Sequence, residues 1–349
     1  MAESSEWNQA DRRIATHRPS SGHCSLISVN RRAMACQFEV ALPATVPAAV
    51  QAASAALDEI DRLEDQMTVY RDTSEVSRIN LLAAMIPVQV EERLFGLFET
   101  ALRLTQETEG AFDVACGALV KCWGFFRGPK RVPEATELAS VMERVGSGHV
   151  ILDREQRTIA FGRPEMELNL GAIGKGYALD RAAERLRADW GISSAILQGG
   201  RSSVYALGWP GGNGVGIQHP LDPSLRIATV RLRDAALGTS GASIQYFEAN
   251  GGRFGHILDP RTGWPAEGQA CVSVIAPTAA EADALSTALF ILGPQKARQY
   301  CERHPDIGAI IVSRPHQDGE LEVSVVGRAQ GQVELRTEAI DPQPAPNDD

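Results

Sequence analysis

Nowhere do the ~18 uninterrupted apolar residues of a membrane span follow one another, so no segment reads as one. Blocks of lysine and arginine are missing as well, and the net charge is −10. That balance argues against nucleic acid or an anionic membrane as partner. Arg12-Arg13 stands near the N-terminus, but no apolar core follows the pair. No export signal is read, and the expected location is the cytoplasm. Cys24 follows Ser-Gly-His, which is not a lipidation pattern. The six cysteines, Cys24, Cys36, Cys116, Cys122, Cys271 and Cys301, include no CxxC pair. They read as reduced core thiols, not as a zinc site or a disulfide framework. There is no G-x-G-x-x-G opening a Rossmann unit and no G-x-S-x-G elbow.

What is present is ordinary in bulk. The 349 residues are 44% hydrophobic and 22% charged, which suits a soluble chain of one large or two moderate domains. Residues 1–30 and 331–349 are polar and are expected to be disordered, leaving 31–330 to carry the fold. Ala33–Leu42 and Met166–Leu170 read as strands, as do Val150–Leu152, Thr158–Phe161 and Ala195–Gln198. Helical spacing runs from Pro47 to about Met67, over Glu91–Thr108, Glu134–Val145 and Lys175–Trp190. Asn250-Gly-Gly252 marks a hairpin. Strand Cys271–Ala276, helices Ala279–Leu292 and Gln295–Arg303, and strand Ile307–Ser313 close the ordered part. The spacing predicts an α+β fold with mixed or antiparallel sheets, helices packed on them, and two related lobes about a cleft.

The stretch Glu167-Leu-Asn-Leu-Gly-Ala-Ile-Gly-Lys-Gly-Tyr-Ala-Leu-Asp180 organises the chain. Glycines at 171, 174 and 176 precede a helix whose first N–H groups and dipole end would favour an anion. Lys175 adds a full charge there. The stretch is no Walker loop, because Gly176 follows the lysine. It is equally a tight turn with a solvated lysine. Asp283 and Thr287 lie one helical turn apart, a carboxylate and a hydroxyl suited to Mg²⁺. The same pair is also what a surface acid and a packed threonine look like. His256 precedes a turn built on Pro260 and Gly263, where it either accepts a proton or hydrogen-bonds in the loop. Asp259 and Arg261 form either part of a site or a local pair fixing that turn. Ala111-Phe112-Asp113 offers a ligand an aromatic face and an acceptor, or else supplies core packing and a cap.

Taken in order, these pieces resemble the ApbE-like FAD:protein FMN transferases. The resemblance runs from about Ala33 to Val326. It rests on Tyr70–Asn80, Gly110-Ala-Phe-Asp-Val114, Leu119–Phe125, Leu168–Asp180, Gly238-Thr-Ser-Gly241, Tyr246-Phe-Glu248, His256–Gly263 and Ala282–Phe290. It implies an ApbE-like, T-fold-like protein with FAD between two lobes. It also implies Mg²⁺-dependent transfer of FMN to a threonine or serine hydroxyl of an acceptor protein, with release of AMP. By matching motif, the Ala172 carbonyl, Asp283 and Thr287 would hold the metal. Lys175 would face the FAD phosphates and His256 would stand near the reacting phosphate. Met34, Tyr70, Ala111, Phe112, Asp113 and Ile257 would line the flavin or adenosine pocket. Three positions depart from the pattern. Asn169 stands where the family has Asp, Arg201-Ser202 where an acid follows two glycines, and Met34-Ala35-Cys36 where Met-Gly-Thr is usual. An Asn169 amide still offers hydrogen bonds to adenosine or ribose. Two other outcomes of the same pocket are FAD hydrolysis to FMN and AMP, and FAD binding without turnover.

Overall fold

The structure is a computed structural model that describes residues 13–17, 25–208, 213–242, 245–313 and 321–340. Most of the polar N-terminus and Cys24 lie outside those residues. Strands β1 (Arg13–His17), β2 (Leu26–Ala33) and β3 (Cys36–Pro43) open the chain. Helix α1 (Ala49–Met67) follows, burying Ala49, Ala52, Ala53, Ala56, Leu57, Ile60 and Leu63 at helical spacing. Helix α2 (Glu75–Leu82) is capped by Ser74, whose Oγ accepts from the Ser77 N–H at 3.0 Å. Then come β4 (Val88–Gln89), α3 (Glu92–Glu107), α4 (Gly117–Cys122), α5 (Ala135–Met142), β5 (Val150–Asp153) and β6 (Thr158–Phe161). Helix α6 (Gly174–Trp190) leads to β7 (Ala195–Gly199), β8 (Ser203–Leu207), β9 (Asn213–Gln218), β10 (Leu225–Leu232) and β11 (Ala235–Gly241). The hairpin β12 (Tyr246–Ala249) and β13 (Gly252–Gly255) precedes β14 (Gln269–Ala276) and α7 (Ala279–Arg303). Strands β15 (Gly308–Ser313), β16 (Glu322–Gly327) and β17 (Val333–Ala339) complete the described chain.

Among the described residues, nine strands form one sheet in the order β1-β2-β3-β7-β8-β11-β14-β15-β16, every neighbouring pair antiparallel. The α+β expectation holds. One face carries α1, α6 and α7 over the main core. The other is covered by the small sheet β17-β10-β9. Strand β15 shows the partition: Ala309 and Ile311 join the helical core, while Ile310 and Val312 join the opposite one. With cover on both sides, all eight residues of β14 are buried. No helix among the described residues is long and apolar enough to cross a membrane.

Four expectations change. The strand expected over 33–42 is broken by a two-residue turn, Met34 (φ 48°) and Ala35 (φ 59°), between the paired Ala33 and Cys36. Met166–Leu170 is not a strand. Met166, Leu168 and Leu170 are buried in alternation, but the backbone is pinned piecemeal. Asn80 brackets Leu168, donating to its carbonyl at 3.0 Å and accepting from its N–H at 2.7 Å. Asn169 N–H donates to Val114 at 2.7 Å. The boundary expected at residue 30 falls too late, since β2 begins at Leu26 and β1 pairs with it. Residues 333–339, expected in a disordered tail, form β17 beside β10, because Val333 has an apolar face to cover. The two helical segments expected around 293 are present, meeting at Gly293 (φ 79°, ψ 175°) before Pro294.

The Met34-Ala35 turn places two side chains in left-handed backbone, where Asn-Gly is the favoured pair. An Ala35→Gly protein is expected to gain about 0.5–1 kcal/mol, relief of the αL penalty outweighing the looser unfolded chain. Urea unfolding midpoints would register it.

Candidate functional site

Helix α6 meets α7 at unusually close range. A Cβ on Gly176 would lie 1.9 Å from the Ala279 carbonyl oxygen, so only hydrogen fits. On the sheet side, a Cβ on Gly238 of β11 would fall 2.4 Å from the Ala282 carbonyl. At Gly176 the missing side chain therefore serves helix-on-helix packing.

Gly176 lies in the first turn of α6, where an N–H has no partner inside the helix, and the crossing supplies one. The Gly176 N–H donates to Asp283 Oδ2 at 2.8 Å, not to the Ala172 carbonyl four residues back. The Ala172 carbonyl accepts no hydrogen bond from the described residues. Asp283 Oδ1 accepts from Ser203 Oγ at 2.7 Å. Each carboxylate oxygen still has an acceptor direction free. Asp283 is buried, and that burial pushes its carboxyl up, opposed by Lys175, Ser203 and the Gly176 N–H. Thr287 Oγ1 stands 3.1 Å from Ser240 Oγ, itself 2.9 Å from Ser286 Oγ. Asp283 thus meets α6 through Gly176, and Thr287, one turn on, meets β11 through Ser240, while Ala172 stands one turn before Gly176 in the chain. Among the described residues no group of three His, Cys, Asp or Glu could hold a metal. Any cation here would rest on one carboxylate with a carbonyl and a hydroxyl.

Lys175 is electrostatically coupled to Asp283, His256 and Cys36. His256 Nδ1 lies 3.0 Å from the Gln245 carbonyl. A carbonyl only accepts, so Nδ1 carries the proton and Nε2 keeps its lone pair. Burial holds the imidazole below its usual value, countered by the Gln245 carbonyl and reinforced by Lys175 and Lys130. The turn after His256 is held by side chains. Asp259 accepts from Arg261 Nε at 2.8 Å and Nη2 at 2.7 Å, and Trp123 Nε1 donates to the Gly263 carbonyl at 2.8 Å. Asp259 and Arg261 are therefore the local pair.

The other candidates lie further into the fold or out on its surface. Ala111, Phe112 and Ile257 are all packed in the main core. Asp113 spends its carboxylate on its own surroundings, accepting from Ala115 N–H and Ser147 N–H at 2.7 Å each, and from Ser147 Oγ. Burial still pushes that carboxyl up. Asn169 Oδ1 accepts from Gly171 N–H at 2.8 Å, closing its own turn. Tyr70 is 51% exposed and stacks on Phe126 at 4.6 Å, with the Arg127 guanidinium 5.5 Å from its ring. Met34 occupies the β2–β3 turn and packs partly against the core.

Residues 34–311 match the model of the ApbE family. The chain belongs to the ApbE family. An FAD:protein FMN transferase of Klebsiella pneumoniae is 35% identical over 265 residues, 75% of this chain and 82% of that protein. One of Treponema pallidum is 33% identical over 74% of this chain and 77% of its own length. Among solved structures, the ApbE protein of Thermotoga maritima superposes with a TM-score of 0.77 at 28% identity, covering 86% of this chain and 97% of that one. The apo flavinyl transferase ApbE of Pseudomonas stutzeri gives 0.74 at 26% identity, covering 92% and 96%. In this ApbE-family chain the residues missed from sequence are Ser203 and Ser240, which orient Asp283 and Thr287. A serine that hydrogen-bonds such a side chain looks like any other serine in one sequence. Gly176 and Asp180 lay within the glycine-rich stretch, but nothing in the spacing said that their partner was α7.

Proposed function

We propose that this chain is an FAD:protein FMN transferase that uses Mg²⁺ and attaches FMN to a threonine or serine hydroxyl of an acceptor protein. The observation that carries the proposal is the α6–α7 crossing, where the buried Asp283 carboxylate is fixed from two sides, with the Ala172 carbonyl, one turn before Gly176, left without a donor. Hard oxygens from Ala172, Asp283 and Thr287 fit Mg²⁺, which keeps part of its water shell. When bound, the ion would neutralise pyrophosphate charge during phosphoryl transfer. Lys175 adds a second positive charge to the same place and holds the phosphates. The acceptor hydroxyl oxygen bonds to the flavin-side phosphorus while the bond from that phosphorus to the bridging oxygen breaks. AMP departs with the bridging oxygen, and the hydroxyl proton passes to His256 Nε2.

The test is mass spectrometry of a threonine-bearing acceptor incubated with the protein, FAD and Mg²⁺. A gain of one FMN together with AMP release is expected. AMP released with no gain in mass would make the protein an FAD hydrolase. Bound FAD with no AMP would leave it a binding protein, the outcome that the self-engaged Asn169 and the exposed Arg201 would then explain.

The working form of His256 is the neutral imidazole, and its pKa is lowered from 6.5. Activity is therefore retained through neutral pH and lost as pH falls through that depressed value. The acid limb of kcat/KM is expected below pH 6.5, and absent from His256→Gln, which should be about 10²–10⁴-fold slower. An unchanged limb in the variant assigns it to another group.

A further inference from the structure

Asp180 belongs to none of the roles above, yet its half-buried carboxylate is spent between the two helices. Its Oδ1 accepts from Ala279 N–H at 2.7 Å and its Oδ2 from Ala280 N–H at 2.9 Å. These are the first two residues of α7, whose own Thr278 side chain accepts from Glu281 N–H. A carboxylate from another helix thus completes the cap that Thr278 begins, at the end where the dipole favours negative charge.

The contact is one half of a reciprocal clasp. Gly176 and Asp180 lie one turn apart on α6; Ala279 and Asp283 lie one turn apart on α7. Gly176 donates to Asp283 while Asp180 accepts from Ala279 and Ala280. The bare Cα of Gly176 rests against the Ala279 carbonyl between them. Ala172 is one turn before Gly176, and Thr287 one turn after Asp283. Sliding either helix would therefore change how the Ala172 carbonyl faces Asp283 and Thr287.

We propose that Asp180 is a positioning residue for the cation site, fixing the register of α6 on α7 so that the Ala172 carbonyl, Asp283 and Thr287 share one ion. The inference rests on the Mg²⁺ reading of that site. Asp180→Asn keeps the shape and one acceptor, but sets an amide donor against a backbone N–H, which frees one end of the clasp. Burial pushes the Asp180 carboxyl up to about 7, even with both N–H groups pulling it down. The measurement accordingly belongs at about pH 8, where the carboxylate form holds.

Mn²⁺ binding to the full chain, followed by electron paramagnetic resonance with FAD present, is the readout. The expected result is a dissociation constant for Mn²⁺ raised about 10–100-fold in Asp180→Asn, with maximal AMP release recovered at high Mg²⁺. A variant that melts earlier but binds Mn²⁺ as tightly as wild type would overturn the proposal and leave Asp180 a plain helix cap. Wild-type protein that binds no Mn²⁺ would instead defeat the cation-site reading itself. If Asp180→Asn does not fold, Asp180→Ser, which retains a hydroxyl able to accept one N–H, is held to the same two outcomes.

Discussion

Asp283→Asn should fold normally and lose FMN transfer by at least about 10³-fold. The substitution changes charge and little else. In the wild type Gly176 N–H and Ser203 Oγ both donate to the carboxylate. Asparagine can still accept from Gly176 through its carbonyl oxygen. The Ser203 hydroxyl can rotate and accept from the new amide, since a hydroxyl both donates and accepts. Burial already works against the charged form of Asp283, so a neutral side chain should leave the metal-free protein no less stable. What disappears is the single carboxylate of the proposed cation site. Melting in the presence of a chelator, paired with single-turnover AMP release, separates the two effects. A variant that keeps its rate within about ten-fold would show that Asp283 does not anchor the ion.

Much of this arrangement was legible in the sequence where physical signals are local. The i, i+4 spacing of Asp283 and Thr287 placed both on one face of α7, where Asp283 meets Gly176 of α6 and Thr287 meets Ser240 of β11. Helices α1, α3, α5 and α6 followed from periodicity and caps, and Asn250 with Gly251 announced the β12–β13 turn, both with positive φ. The misreadings have a common cause, which is that non-local partners decide the outcome. Met166–Leu170 alternates like a strand, but its hydrogen bonds go to the Asn80 side chain and to Val114 instead of a ladder. Val333–Ala339 looked like a polar tail because only one side of it has anything to cover. The glycines at 171, 174 and 176 read alike as small residues before a helix end that would favour an anion. Only the position of α7 sets Gly176 apart.

That difference yields the last prediction. Gly176→Ala should destabilise the protein by at least about 3 kcal/mol, and Gly174→Ala by less than about 1 kcal/mol. A Cβ at 176 meets backbone only, with the Ala279 oxygen at 1.9 Å, its carbonyl carbon at 2.3 Å and the Ala280 nitrogen at 2.7 Å. None of these is the flexible end of a side chain, so the new methyl is accommodated only by moving one helix off the other. Any such movement also lengthens the Gly176–Asp283 hydrogen bond and pulls Ala279 and Ala280 away from Asp180. At 174 the nearest atoms are Leu170 Cβ and Met67 Cε, both at 3.7 Å, an ordinary contact that adds packing. Alanine there also gains helix propensity, so the change should be neutral or favourable. Chemical denaturation of the two variants compares them directly. If Gly176→Ala proves as mild as Gly174→Ala, the helices are not in the close contact on which the Asp283 geometry depends. If it is severe, the small residue keeps α6 against α7, and the second glycine of Gly-Lys-Gly is there for α7 and not for phosphate.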